Sequence, residues 1–350
     1  MADTYQFGLI GCGSQGRYLS EALRSTGRAD LVACADPNEE AARTAVQQCG
    51  YRETFDSAQA MLQAVELDAV IIATIHDQLQ PMAREAVDAG VHVFVEKPMA
   101  LNAADAQALV DAAEAAGVKL MVGYTLRFMP ERLMMKDLLD RGAIGEITHV
   151  STGQCIGPVG GWLNDPDHGG GPLFYIGSHA LDNALWMTGA EAYEVFADVY
   201  QPDPSEAEQS VDAIIRCEGD FTIQLCTSYR VGGRAGWLEV MGTEGRMRVQ
   251  WESNVLEISS QNIDEYSQPT EIAVPPQPWI PAVPVESTGS IIAAKYLPIW
   301  AAEMHEFIDA IEEDRDPCVT GEDAVAFLEI SDAIFASGAS GVPVPLGSEQ

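Results

Sequence analysis

The stretch GLIGCGSQG, Gly8 to Gly16, restricts the fold of this chain more than any other. It is preceded by the apolar run QFGLI and followed by the helical pattern SQGRYLSEALRST, which Gly27 closes. Gly11, Gly13 and Gly16 therefore stand in Gly-x-Gly-x-x-Gly spacing between a strand and a helix. That spacing permits a tight turn, brings backbone close to an anion and aims a helix N-terminus at it. As far as Tyr124, short apolar runs such as DLVACAD, LDAVIIAT, VHVFVEKP and VKLMVGY alternate with helical stretches. This is the pattern of a doubly wound α/β sheet, and the nearly unbroken LDAVIIAT suits a central strand buried on both faces.

Beyond Tyr124 the pattern changes. After the helical PERLMMKDLLDRG come GEITHVSTGQC, AYEVFADVYQ, SVDAIIRCEG, FTIQLCTSYR, GWLEVMG, GRMRVQW and NVLEISS, joined in part by GD and GTEG turns. Strands at such spacing predict an open antiparallel sheet, and two helical patterns end the chain. Residues 1–125 thus read as one doubly wound α/β domain, and residues 126–350 as a second, α+β domain. Six prolines from Pro269 to Pro284, around Trp279, predict an extended arm, either a passive connection or a reach toward a neighbour or the site rim.

The 53 acidic against 19 basic residues give a net charge of -34, a field that repels nucleic acid and anionic membrane. Lysine is confined to Lys97, Lys119, Lys136 and Lys295, a scarcity that suggests adaptation to high salt. No apolar run approaches the roughly 18 residues that span a bilayer, and no basic leader precedes the first strand, so the expectation is a soluble cytoplasmic protein. Seven scattered cysteines form no C-x-x-C pair and no ligand cluster with histidine. They read as reduced core residues, with no metal site expected.

Cys12, Ser14 and Gln15 complete the glycine loop as cofactor-binding candidates. About 20 residues on, at the end of the second strand, stands the acid the motif requires, Asp36, placed to accept ribose hydroxyls and to repel a 2'-phosphate. The cofactor inferred is NAD; Arg43 keeps NADP open, and Asp36 could simply begin the DPN turn. Glu96-Lys97-Pro98 ends a buried strand, where open α/β sheets bind ligands, though a surface ion pair would give the same residues.

In GGGPLFYIGSHALD, Gly169 to Asp182, helical spacing puts Tyr175 and His179 on one face, with Asp182 a turn further along it and Leu181 and Leu185 toward the core. With an ordinary pKa of about 6.5, His179 can move a proton in either direction near neutrality, or it can be a packing histidine. Tyr175 is a second proton-transfer candidate, or it packs under the loop. Arg127, Trp162, Asp165 and His168, together with Asp182, are the candidates for lining a cleft that suits a polyhydroxylated ligand.

Taken together, the glycine motif, Asp36, Thr74, Glu96-Lys97-Pro98, VGYTLRFMP and GGGPLFYIGSHALD resemble the Gfo/Idh/MocA family, the glucose-fructose oxidoreductase and inositol dehydrogenase group. The resemblance implies a Rossmann domain followed by a large open antiparallel sheet whose helix-free face packs on another subunit, giving a homo-oligomer (dimer or tetramer). It implies that Lys97 holds the reacting oxygen, that Glu96 and Thr74 lie along the nicotinamide half of the cofactor, and that His179 is catalytic. It also implies NAD(P)-dependent hydride transfer on a sugar, cyclitol or related polyol. A redox-neutral lyase or glycosidase with retained NAD and a ligand-binding regulator are the competing functions. Three departures from the family pattern stand out: Tyr175 where an aspartate is usual, TIHDQL after the fourth strand, and leucine after Trp162.

Overall fold

The structure is a computed structural model that describes residues 4–251, 253–274 and 291–347. Of the arm expected from Pro269 to Pro284, residues 275–284 lie outside the described residues, and Thr270–Ala273 form an edge strand. Two units are present, Met1–Phe128 with Gln277–Val325, and Met129–Pro276 with Ala326–Gln350.

The first unit contains a parallel sheet of β1 (Tyr5–Ile10), β2 (Ala29–Ala35), β3 (Glu53–Phe55), β4 (Ala69–Ile72), β5 (His92–Val95) and β6 (Leu120–Val122), in the order 3-2-1-4-5-6. The connecting helices are α1 (Ser14–Ser25), α2 (Glu39–Cys49), α3 (Ala58–Ala64), α4 (His76–Asp88) and α5 (Ala103–Ala116). All four residues of β4 are fully buried, as a strand covered on both faces requires. Strand order reverses between β1 and β4, which opens a crevice beyond their carboxyl ends. Phe307 packs edge-on against Phe7 and Phe94 and so fixes α8 (Ile291–Glu312) to this sheet.

The second unit opens with α6 (Pro130–Asp140), and its strands are β7 (Ile147–Ile156), β8 (Ala192–Tyr200), β9 (Ser210–Cys217), β10 (Phe221–Ser228), β11 (Arg234–Gly242), β12 (Gly245–Gln250), β13 (Val255–Ser260), β14 (Thr270–Ala273) and β15 (Val344–Pro345). They form one sheet in the order 14-13-12-11-7-10-9-8-15. Its pairings are antiparallel except that β7 and β10 run parallel, so the sheet is mixed. In β9, Val211, Ala213 and Ile215 are buried while Asp212, Ile214 and Arg216 point outward, the period of two that one covered face imposes. The covered face carries α7 (Ser178–Thr188), where the Thr152 hydroxyl donates to the Ala180 carbonyl at 3.1 Å. On the other face Phe196 and its cross-strand partner Ile214 are each 43% exposed. The last helix is α9 (Gly321–Ser340). No helix among the described residues is long and apolar enough to cross a membrane.

Candidate active site

Each glycine of the first loop has its own physical reason. Gly11 has φ +92°, and a Cβ on it would meet the Ala73 backbone and lie 3.0 Å from Thr74 Cγ2, so the loops after β1 and β4 touch there. A Cβ on Gly16 would overlap the Gly11 carbonyl oxygen, which sets how closely α1 approaches β1. A Cβ on Gly13 would meet nothing within 4 Å. Gly13 and Ser14 are exposed, and no side chain caps the N-terminus of α1. The first backbone N–H groups of α1 thus lack a side-chain acceptor, an arrangement that fits a dinucleotide pyrophosphate.

Asp36 is anchored beside this loop. One carboxylate oxygen accepts the Cys12 N–H and the other the Asn38 N–H, both at 2.8 Å. The carboxylate is half-buried and fixed, with lone pairs left for ribose hydroxyls. Arg43 lies 3.8 Å from Glu39, both strongly exposed.

Gln15 links the glycine loop to the Glu96-Lys97 segment after β5, because its Nε2 donates to Glu96 Oε1 at 2.8 Å. Glu96 Oε2 accepts the Lys97 N–H at 3.2 Å, and the Glu96 N–H donates to the Ile72 carbonyl at 2.9 Å, which extends the sheet ladder past the strand end. Glu96 and Lys97 are both 8% exposed. Desolvation lowers the Lys97 ammonium to about 8, and Glu96 opposes the shift. Desolvation raises the Glu96 carboxyl, against the pull of Lys97 and of the Gln15 hydrogen bond. Thr74 is half-buried, its hydroxyl donating to the Ile75 carbonyl at 3.1 Å.

A further acid belongs to this cluster. Glu303 on α8 is fully buried and accepts the Thr125 hydroxyl at 3.2 Å. Burial and the nearby Glu96 push its carboxyl well above the usual range, which favours the neutral acid. Sequence offers no signal for it among 53 acidic residues. Arg127 is 5% exposed, pairs with Asp323 at 2.9 Å and donates to the Cys318 carbonyl.

In the second unit, Gly169 leads into a π-helical turn, Leu173–Gly177, continued by α7. From Gly169 to Ala184 every residue is buried except Tyr175 and His179, which are half-buried. Asp182, expected on the same side, is instead 1% exposed, and Leu185, expected toward the core, is half-buried. Asp182 follows His179 by one turn of regular α-helix, so its burial means that this position is covered. Trp162, Asp165 and His168 are half-buried in the two short turns before Gly169, with His168 Nε2 4.0 Å from Asp165 Oδ2.

Two sequence profiles match this chain: the "Oxidoreductase family, NAD-binding Rossmann fold" over residues 5–124 and the "GFO/IDH/MocA C-terminal domain" over residues 133–248. The D-apiose dehydrogenase of Paraburkholderia graminis is 30% identical over 351 residues, 97% of this chain and 89% of that protein. The inositol 2-dehydrogenase of Rhizobium meliloti is 27% identical over 343 residues, 95% of this chain and 97% of that protein. The crystal structure of an oxidoreductase domain protein from Kribbella flavida, 23% identical, superposes with a TM-score of 0.88 over 99% of this chain and 100% of that one. With the glycine loop, Asp36 and Lys97 arranged as described and both halves matched, the chain belongs to the Gfo/Idh/MocA family of NAD(P)-dependent oxidoreductases.

Proposed function

We propose that the protein is an NAD-dependent dehydrogenase or reductase acting on a secondary alcohol or ketone of a sugar, cyclitol or related small polyol. The observation that carries this reading is the Gln15–Glu96 hydrogen bond, which ties the dinucleotide loop to a buried Lys97. The names of the relatives, an apiose and an inositol dehydrogenase, support the substrate class. Bound NAD supplies the hydride acceptor or donor. In this reading residues 1–125 hold the dinucleotide through Gly11 to Gly16, Asp36, Thr74, Glu96 and Lys97, and residues 126–350 provide the substrate and subunit contacts. Lys97 donates a charged hydrogen bond to the reacting oxygen and stabilises its anionic form. Tyr175 and His179 move the hydroxyl proton, while Trp162, Asp165 and His168 contact the remaining hydroxyls. Arg127 and Asp182, the remaining candidates for substrate contact, are both buried. A panel of sugars and cyclitols tests the reading: at least one should reduce bound NAD, whereas melting shifts without turnover would count against it.

Cofactor choice follows Asp36. Asp36→Ser should weaken NAD binding and leave NADP binding equal or stronger, because the carboxylate that repels a 2'-phosphate is gone. Calorimetric titration of wild-type protein with both cofactors checks the premise, and tighter binding of NADP would overturn it.

The exposed Phe196 and Ile214 on the helix-free sheet face suit contact with a second copy of the chain, giving a homo-oligomer, here taken to be cytoplasmic. Repulsion among the carboxylates should relax as the screening length falls from roughly 30 Å at 0.01 M to about 3 Å at 1 M salt. The melting temperature should therefore climb between those concentrations of potassium chloride, and a flat or falling curve would end the idea of salt adaptation.

A further inference from the structure

Glu208, two residues before β9, is an acid buried behind the Tyr175 segment and only 5% exposed. Its Oε1 accepts the Leu173 N–H at 3.1 Å. Leu173 begins the π turn, so this carboxylate caps the N-terminal end of the helical run that carries Tyr175 and His179. Gly171, with φ +110°, completes the seat, since a Cβ on it would overlap both Glu208 carboxylate oxygens. The Tyr175 N–H donates to the Gly171 carbonyl at 3.1 Å, and the Thr227 hydroxyl donates to the Pro172 carbonyl at 3.1 Å. Residues 171–175 therefore form one hydrogen-bonded unit fastened to Glu208. Tyr229, fully buried, is the titratable side chain beside Glu208, and it also meets Tyr175 edge-on with ring centroids 6.5 Å apart.

We propose that Glu208 is a positioning residue for the reaction, one whose charged cap on Leu173 fixes the 171–175 backbone and thereby aims the Tyr175 hydroxyl, a role that rests on the reading of Tyr175 given above. The chemistry of the place favours this over a purely structural role. Among the described residues no cation pairs with Glu208, and desolvation raises its carboxyl to about 7. The folded protein thus holds this proton more tightly than the unfolded chain does. The carboxylate form costs folding free energy, a cost that appears as pH rises from the ordinary carboxyl range through about 7. A neutral amide would accept the same N–H without that cost. What the acid adds is negative charge at a helix N-terminus and a stronger hydrogen bond to the first turn.

The test is a double-mutant cycle of Glu208→Gln and Tyr175→Phe, read as kcat, KM for NAD and melting temperature at about pH 8. Glu208→Gln alone should lower kcat by about tenfold or more, the scale of a misaimed catalytic group, with KM for NAD unchanged. Its melting temperature should stay level or rise, because the buried charge is gone. In the Tyr175→Phe background the same change should alter kcat by less than about twofold. Additive losses, a wild-type rate in Glu208→Gln, or a melting temperature that falls with the activity would each overturn the proposal. A wild-type rate in Tyr175→Phe would instead overturn the reading of Tyr175, and the proposal with it. Should Glu208→Gln not fold, amide exchange of the wild-type protein decides. After correction for intrinsic rates, protection of residues 173–175 relative to the buried amides of β9 should be higher at about pH 8 than at about pH 6, and an equal or lower ratio would refute the proposal.

Discussion

Replacing Lys97 by methionine is expected to lower kcat/KM by about 100- to 1000-fold while leaving NAD affinity within a few-fold of wild type. Methionine keeps the length and apolar stem of the side chain and removes only the charged donor. Lys97 is one of four lysines in the chain and is 8% exposed at the end of a strand next to the dinucleotide loop. Lys119 and Lys136, by contrast, pair with Asp314 and Asp140, which are largely exposed. Burial lowers the Lys97 ammonium to about 8, so the charged form is present below that pH and is lost as pH rises through it. The kcat/KM profile of the wild-type enzyme should therefore carry a basic limb near 8 that Lys97→Met lacks. Loss of less than tenfold would reduce Lys97 to the ion-pair partner of Glu96.

Tyr175→Phe is the second large effect. It removes one hydroxyl and keeps the ring that packs against Tyr229. Where the family usually has an aspartate, which would raise the histidine pKa, this chain has a neutral donor. If that donor shares proton transfer with His179, turnover should fall by about 100-fold with NAD binding intact. A rate within a few-fold of wild type would leave His179 as the proton-transfer residue and Tyr175 as packing. Both residues are half-buried, whereas every other residue between Gly169 and Ala184 is buried.

The dinucleotide half was legible because its chemistry is local. Gly11, Gly13 and Gly16 answer to a turn, an open approach and a helix contact within nine residues, and Asp36 sits one strand away. Glu96-Lys97-Pro98 was legible because charge at the end of an apolar run is conspicuous. The parallel pairing of β7 with β10 was not, since alternation along a strand reports which face is covered and says nothing about its neighbour. The burial of Asp182 was not legible, because helical spacing places it one turn after His179 and says nothing of what covers that turn. Glu208 and Glu303 were hidden for another reason. Their interest lies in burial, a tertiary property, and in so acidic a chain no single carboxylate stands out.

Hydride transfer from a carbon-bound hydrogen of a polyol is tested most directly by incubating the protein with NAD and sugars or cyclitols deuterated at their secondary carbons, then analysing the nicotinamide by NMR and mass spectrometry. Reduced cofactor carrying deuterium at C4 of its ring is expected, with an equal amount of ketone and the loss of both in Lys97→Met. Bound NAD that stays oxidised and unlabelled with every member of the panel, or deuterium appearing only in water, would contradict it.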